Sequence, residues 1–316
     1  MLAVHVDEMI VAGNSADCDR LHKHLNKRFP TNNLGNLTHY TGCTFKRDRE
    51  RRTITICQEA YIERLLERFD VTKSSPLPAA PYADSSRRKG ESPTEEPFRE
   101  AVGALMWVAN TSRPDIANAV RSVARRAHDP TDDDWSAVTK ILGYLRGTKE
   151  RGLTLTGARG GLVAYADSNY ATDKEDRKSV SGGAVFYGRS CVSWFSRTQK
   201  CVSTSSSEAE YISLAECTKE AMFVRYVLEF LEPGKRLPPI VLREDKEGAI
   251  HLAQNPLSSG RTKHIDVRYH FVRDLVKKGQ VRIEYVPSAE QHAESLTKPL
   301  STGSFEYHRD ILLNVI

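Results

Sequence analysis

The sequence predicts an α/β (α+β) protein of two units, the second a mixed five-stranded sheet flanked by helices. Two observations lead there. Three strand-like runs follow one another closely, Leu162–Asp167, Ser179–Tyr187 and Cys191–Phe195, which suggests an antiparallel meander. A strand–helix–strand passage then runs from Ile240 to Val286, which suggests a parallel pairing in the same sheet. A third observation divides the chain. Ser74–Pro97 carries Pro76, Pro78, Pro81, Pro93 and Pro97 among Ser, Gly and charge, the composition of a linker or long surface loop. At 316 residues the chain is long enough for about two domains.

The elements follow from their patterns. Leu2–Gly13 is apolar on both sides of Asp7 and Glu8 and reads as strand, tight turn, strand. Ser15–Phe29 reads as a helix with Ser15 or Asp17 as N-cap and Leu21, Leu25 and Phe29 on one face. Tyr40–Phe45 and Arg52–Cys57 form a second strand pair around the charged turn KRDRERR. Gln58–Phe69 is amphipathic at helical spacing, through Tyr61, Ile62, Leu65, Leu66 and Phe69. Helical pattern returns at Phe98–Ala109, Pro114–Ala127 and Asp132–Gly147. Pro114 suits a helix first turn, where its missing N–H costs nothing. After the meander come a long helix (Ser207–Leu231), a strand (Ile240–Arg243), helices at Glu247–Gln254 and His264–Lys278, a strand (Val281–Val286) and a helix at Ala289–Thr297.

Composition excludes several classes. With 46 Lys+Arg against 41 Asp+Glu, the mild basic balance is compatible with a polyanionic partner without requiring one. Six scattered cysteines form no C-x-x-C pair, which argues against zinc and for free thiols in a reducing compartment. No stretch reaches the ~18 apolar residues of a membrane span. MLAVHVDEMIVAG lacks a basic leader and a small-residue cleavage site, so an intracellular location is expected.

Acids carry the chemistry. Asp167 and Asp245 each close an apolar run, and Glu210 lies in the first turns of a helix. Glu294 follows in PSAEQHAESLTKPL. Carboxylates so placed can converge on a pair of divalent cations, Mg²⁺ or Mn²⁺, the equipment of a phosphodiester-cleaving enzyme. A short Asp at a strand end suits a bridging ligand, and Glu on a helix has the extra methylene to reach across to the sheet.

A series of strings in fixed order resembles the Pol polyprotein of copia-type LTR retrotransposons. They include HVDEMIVAG, NLGNLTHYTGCTF, REAVGALMWVANTSRPDIANAV, WSAVTKILGYLRGT, AYADSNYA, RKSVSGGAVF, SSSEAEYISL, DKEGAIHLAQNP, RTKHIDVRYHFVRD and AESLTKPL. The resemblance covers nearly the whole chain and implies the end of a reverse transcriptase followed by an RNase H domain. It implies a palm remnant over residues 1–75, a linker at 76–97, a helical thumb or connection-like segment at 98–159 and an RNase H-like domain at 160–316.

The resemblance makes Asp167, Glu210, Asp245 and Glu294 the catalytic and metal-binding acids, with Glu294 where the family usually has Asp. Lys246 replaces the family's Asn, and Ser259 stands where many relatives have His. Asp7 and Glu8 match the polymerase turn, where the family has two Asp, and His5 replaces Tyr. Only six residues precede Asp7, so reverse transcriptase activity is expected to be lost.

The implied partner is an RNA–DNA hybrid, gripped by Arg177, Lys178, Arg197, Lys200, Arg261, Lys263 and His264, with Trp194 and Tyr170 packing either on sugars or in the sheet core. The remaining parts of a polyprotein are further candidate partners, and no membrane is expected. The alternative is a decayed or repurposed fragment that binds nucleic acid or protein without catalysis.

Overall fold

The computed structural model describes residues 1–80, 92–157, 160–254 and 271–315. An exposed hairpin opens the chain, β1 (Leu2–His5) antiparallel to β2 (Glu8–Val11). Val6 makes the turn at φ 52°, a left-handed conformation that a β-branched residue rarely adopts. Helix α1 (Ser15–Asn26) follows. Its N-cap is Asn14 and not Ser15 or Asp17, because the Asn14 side chain accepts from the Asp17 N–H.

Strands β3 (His39–Tyr40), β4 (Cys43–Asp48) and β5 (Thr53–Cys57) begin a four-stranded antiparallel sheet. The strand expected at Tyr40–Phe45 is broken at Thr41-Gly42, both at positive φ, which turns the chain between β3 and β4. Helices α2 (Glu59–Arg68), α3 (Phe98–Thr111), α4 (Ala117–Ala124) and α5 (Asp132–Gly147) pack together around Ile62, Leu105, Val120, Ile141 and Leu142. Pro114–Ile116 forms a 3₁₀ turn ahead of α4. Strand β6 (Leu153–Thr156), which the periodicity did not reveal, returns from α5 to pair with β5 and complete the first sheet.

A buried ion pair anchors this helical unit. Arg113 grips Asp115 with two bonds, Nε to Oδ1 at 2.9 Å and Nη2 to Oδ2 at 2.7 Å. The Tyr144 hydroxyl donates to Asp115 Oδ2 at 2.7 Å, and Arg113 reaches the Thr148 carbonyl at 2.9 Å. Burial pushes the Asp115 carboxyl upward, yet Arg113 and Tyr144 outweigh it and hold it below the ordinary range. Removing one partner strands the other charge in a dry site. Arg113→Met is expected to cost about 3–5 kcal/mol of stability, read by urea unfolding.

The second sheet holds β7 (Leu162–Asn169), β8 (Val180–Tyr187), β9 (Ser190–Thr198), β10 (Ile240–Glu244) and β11 (Val281–Tyr285), in the order β11-β10-β7-β8-β9. β7, β8 and β9 form the antiparallel meander, and β10 runs parallel to both β7 and β11. This mixed sheet with flanking helices is the expected RNase H-like fold. Helix α6 (Ser206–Leu231) covers one face through Tyr211, Leu214 and Ala215, packed on Ala164, Ala166 and Leu242. Helices α7 (Glu247–Gln254) and α8 (271–277) complete that side.

The helix expected at Ala289–Thr297 is instead two 3₁₀ turns, Ser288–Glu290 and His292–Leu296. Gln291 separates them at φ −78°, ψ 90°, and its side-chain amide donates to the Ala166 carbonyl at 2.9 Å, an anchorage that a continuous helix would not present. The last helix, α9 (Thr302–Leu313), had no counterpart in the sequence reading. Its Phe305 enters the core of the helical unit, while Leu312 joins Ala117, Leu153, Ala184, Phe186 and Leu296 beneath the second sheet. The terminal segment thus stitches the two cores together. Among the described residues no helix is long and apolar enough to cross a membrane.

Candidate metal centre

The site lies at the C-terminal ends of the two central parallel strands, where the crevice of an α/β sheet opens. Asp167 lies near the C-terminal end of β7, two residues before its last, and Asp245 directly follows β10. Glu210 enters from the first turns of α6. Two glutamates compete for that role in SSSEAEY, and the helix cap decides between them. Glu208 is spent on the cap, its Oε2 accepting from the Thr204 N–H at 2.8 Å while the Ser205 hydroxyl accepts from its own N–H. Glu210, two residues on, points away from the cap and toward the strand ends.

One carboxylate oxygen each from Asp167, Glu210 and Asp245 lies within 4.8 Å of the others. Asp167 and Glu210 are buried, and Glu210 Oε2 has no hydrogen-bond partner among the described residues. Burial, reinforced by Asp245 and Glu294, raises the Asp167 carboxyl to about 6, even though Thr297 and Lys298 pull it down. Burial and then the charges of Asp167, Glu244 and Asp245 push Glu210 to about 10. Converging acids, with the proton affinities of Asp167 and Glu210 raised and one Glu210 oxygen orphaned, want a cation. An all-oxygen donor set suits a hard divalent ion.

Glu294 is not among the three. Its carboxylate meets Lys298 Nζ at 2.7 Å and His308 Nε2 at 3.6 Å, and His308 and Lys298 beside it hold it below the ordinary range. His308 in turn lies 3.2 Å from His292 across their Nδ1 atoms.

Of the basic residues, Arg197 on β9 pairs with Glu220 at 2.9 Å and sits over the Phe195 ring. Lys178 pairs with Asp176 at 3.3 Å, and Arg177 and Lys200 are exposed. Lys246 is exposed too. Arg261, Lys263 and His264 lie outside the described residues, as do Ser259 and Asp266. Trp194 donates its indole N–H to the Ala109 carbonyl at 2.9 Å, and Tyr170 is exposed. Asp7 and Glu8 lie on the opening hairpin, Glu8 accepting a long bond from Thr41.

Sequence reasoning missed Glu244, which is fully buried with Oε2 unpartnered. Strand alternation carried the signal, because Glu244 shares its face with the buried Ile240 and Leu242. It also missed Ser288 and Thr297, whose hydroxyls reach Asp245 and Asp167.

No protein-family model matches the chain. Over an alignment of 322 positions that covers 99% of its length, it is 35% identical to the retrovirus-related Pol polyprotein of transposon TNT 1-94 from Nicotiana tabacum. Over 314 residues it is 36% identical to that of transposon RE1 from Arabidopsis thaliana. The chain belongs to the copia-type retrotransposon Pol family.

It covers 24% and 21% of the length of those two polyproteins. An uncharacterized mitochondrial protein of Arabidopsis thaliana is 31% identical over 220 residues, 68% of this chain and 90% of that protein. Among solved structures, a foamy viral protease-reverse transcriptase in complex with RNA/DNA hybrid aligns over 91% of this chain and 36% of its own at 11% identity and TM-score 0.49. Within the Pol family frame, the three gathered acids come from the strings AYAD, EAEY and EDKEGAI.

Proposed function

We propose that this Pol chain is a ribonuclease H, hydrolysing the RNA strand of an RNA–DNA hybrid at Asp167, Glu210 and Asp245. The convergence of those three carboxylates from three separate elements carries the proposal. Bound there, a pair of Mg²⁺ or Mn²⁺ ions supplies an activated water and charge neutralisation at the leaving oxygen.

The chain's own groups do the rest. The short Asp167 side chain is fixed near the C-terminal end of β7 and sets the position of the site. Glu210 releases its proton when a cation replaces the repulsion of its neighbours. Arg197 and Lys200, on and just after β9, with Arg177 and Lys178 in the loop before β8, are proposed to track the hybrid backbone, giving salt-sensitive binding that reads shape rather than sequence.

The full chain with Mg²⁺ is expected to cut an RNA strand paired with DNA, and to spare the same RNA alone and the DNA strand. Absence of RNA cleavage at any Mg²⁺ or Mn²⁺ concentration would sink the reading. One observation favours a second reading, a non-catalytic binding module. Glu294 is tied up by Lys298 and His308 and stands apart from the cluster. Hybrid binding without cleavage would support that reading.

A further inference from the structure

The two hydroxyls at the site come from one short segment. Ser288 Oγ donates to Asp245 Oδ2 at 2.7 Å, and Thr297 Oγ1 donates to Asp167 Oδ2. Thr297 Oγ1 also lies 3.0 Å from the Glu294 carbonyl, but a hydroxyl has a single hydrogen, and the carboxylate is the nearer, charged acceptor. Between these two residues the Gln291 amide bridges the carbonyls of Ala166 on β7 and Arg243 on β10, at 2.9 and 3.4 Å. Each of those carbonyls lies one or two residues before a site aspartate.

The segment is seated firmly. Thr297 is 1% exposed, and a Cβ on Gly182 would fall 2.6 Å from its methyl and 3.0 Å from the Ala293 carbonyl. Only glycine at 182 lets the turn lie this close to β8. At the far end, α9 ties the same segment to the helical core through Phe305.

We infer that Ser288–Thr297 is a hydroxyl clamp: Ser288 and Thr297 each hold one oxygen of Asp245 and Asp167, leaving the other oxygen aimed at a divalent cation. This rests on the metal-centre reading above. Ser288 and Thr297 are positioning residues that act through the aspartates. A carboxylate free to rotate would ligate through either oxygen or both, whereas a clamped one presents a single, fixed ligand atom. Partners of this kind are worth about 10–100-fold in metal affinity.

The test uses the full chain, with Mn²⁺ as the probe, by calorimetry on the cation-free protein. Thr297→Val keeps the shape and removes the hydroxyl; Thr297→Ser keeps the hydroxyl and removes the methyl. Val is expected to weaken Mn²⁺ binding about tenfold or more, and Ser to stay within about threefold of wild type. Hybrid cleavage should then need proportionately more Mg²⁺ in the Val variant, with KM for the hybrid unchanged. Ser288→Ala, at an exposed position, should also weaken binding and carries the test if Thr297→Val fails to fold.

Wild-type affinity in the Val variant would overturn the clamp. So would an equal loss in Val and Ser, which would assign the effect to packing. If the expected affinity pattern appears but no variant or wild type cleaves hybrid, the clamp stands and the nuclease reading falls. If wild type binds no Mn²⁺, both fall.

Discussion

Asp167→Asn is expected to lower RNA-strand cleavage by about 10³-fold or more while leaving hybrid binding within about threefold. Asn has the shape of Asp, and its amide oxygen still accepts from the Thr297 hydroxyl, so the turn beneath it stays in place. What is lost is the negative charge at the centre of the cluster, the quantity that holds a hard cation. Binding is spared because the groups proposed to grip the backbone, Arg197 and Lys200 among them, lie on other residues. Single-turnover cleavage and filter binding on the same preparations separate the two effects. Equal losses in both would mean that Asp167 supports the fold rather than the chemistry.

Glu210→Gln is expected to abolish cleavage and to stabilise the cation-free protein at pH 8. The folded-state pKa of Glu210 is about 10 against an ordinary 4.5, and that of Asp167 about 6 against 3.8. Burial is the main cause for both, with neighbouring carboxylates adding to it. The folded chain therefore keeps protons that the unfolded chain gives up. Stability from these groups is complete below about pH 4 and drains away as pH rises, through about 6 for Asp167 and about 10 for Glu210.

The cation-free wild type should accordingly melt lower at pH 8 than at pH 5. Gln removes the proton that the fold must hold against the unfolded chain's release of it at high pH. A gain on the order of 2 kcal/mol, or about 3 °C in melting temperature, is expected at pH 8, and little at pH 5. Mg²⁺ should stabilise wild type at pH 8 and the Gln variant much less. A Gln variant that melts below wild type at pH 8 would show that Glu210 is held by its surroundings instead of repelled by them.

How far the sequence could be read follows from where each signal lives. The strands of the second sheet and α6 were legible because their faces repeat at periods of two and 3.6 residues, as in LVAYAD on β7 and Tyr211, Leu214 and Ala215 on α6. The acids were legible as acids closing those elements, and the copia-like strings named their company. Strand β6 was not, because LTLT is four residues long and its pairing partner β5 lies about a hundred positions earlier. The form of Ser288–Thr297 was not, because it is set by hydrogen bonds to Asp245, Ala166 and Asp167, which have no period in the sequence. The pairing of Glu294 with His308 was hidden for the same reason, since it depends on where α9 docks.

The most direct measurement is manganese anomalous scattering from crystals of the full chain grown with Mn²⁺. A peak about 2.1 Å from carboxylate oxygens of Asp167, Glu210 and Asp245, with the Oδ2 atoms of both aspartates still turned to Thr297 and Ser288, is the predicted result. An empty cluster at saturating Mn²⁺, or a peak seated on Glu294 and His308 in its place, would contradict the account.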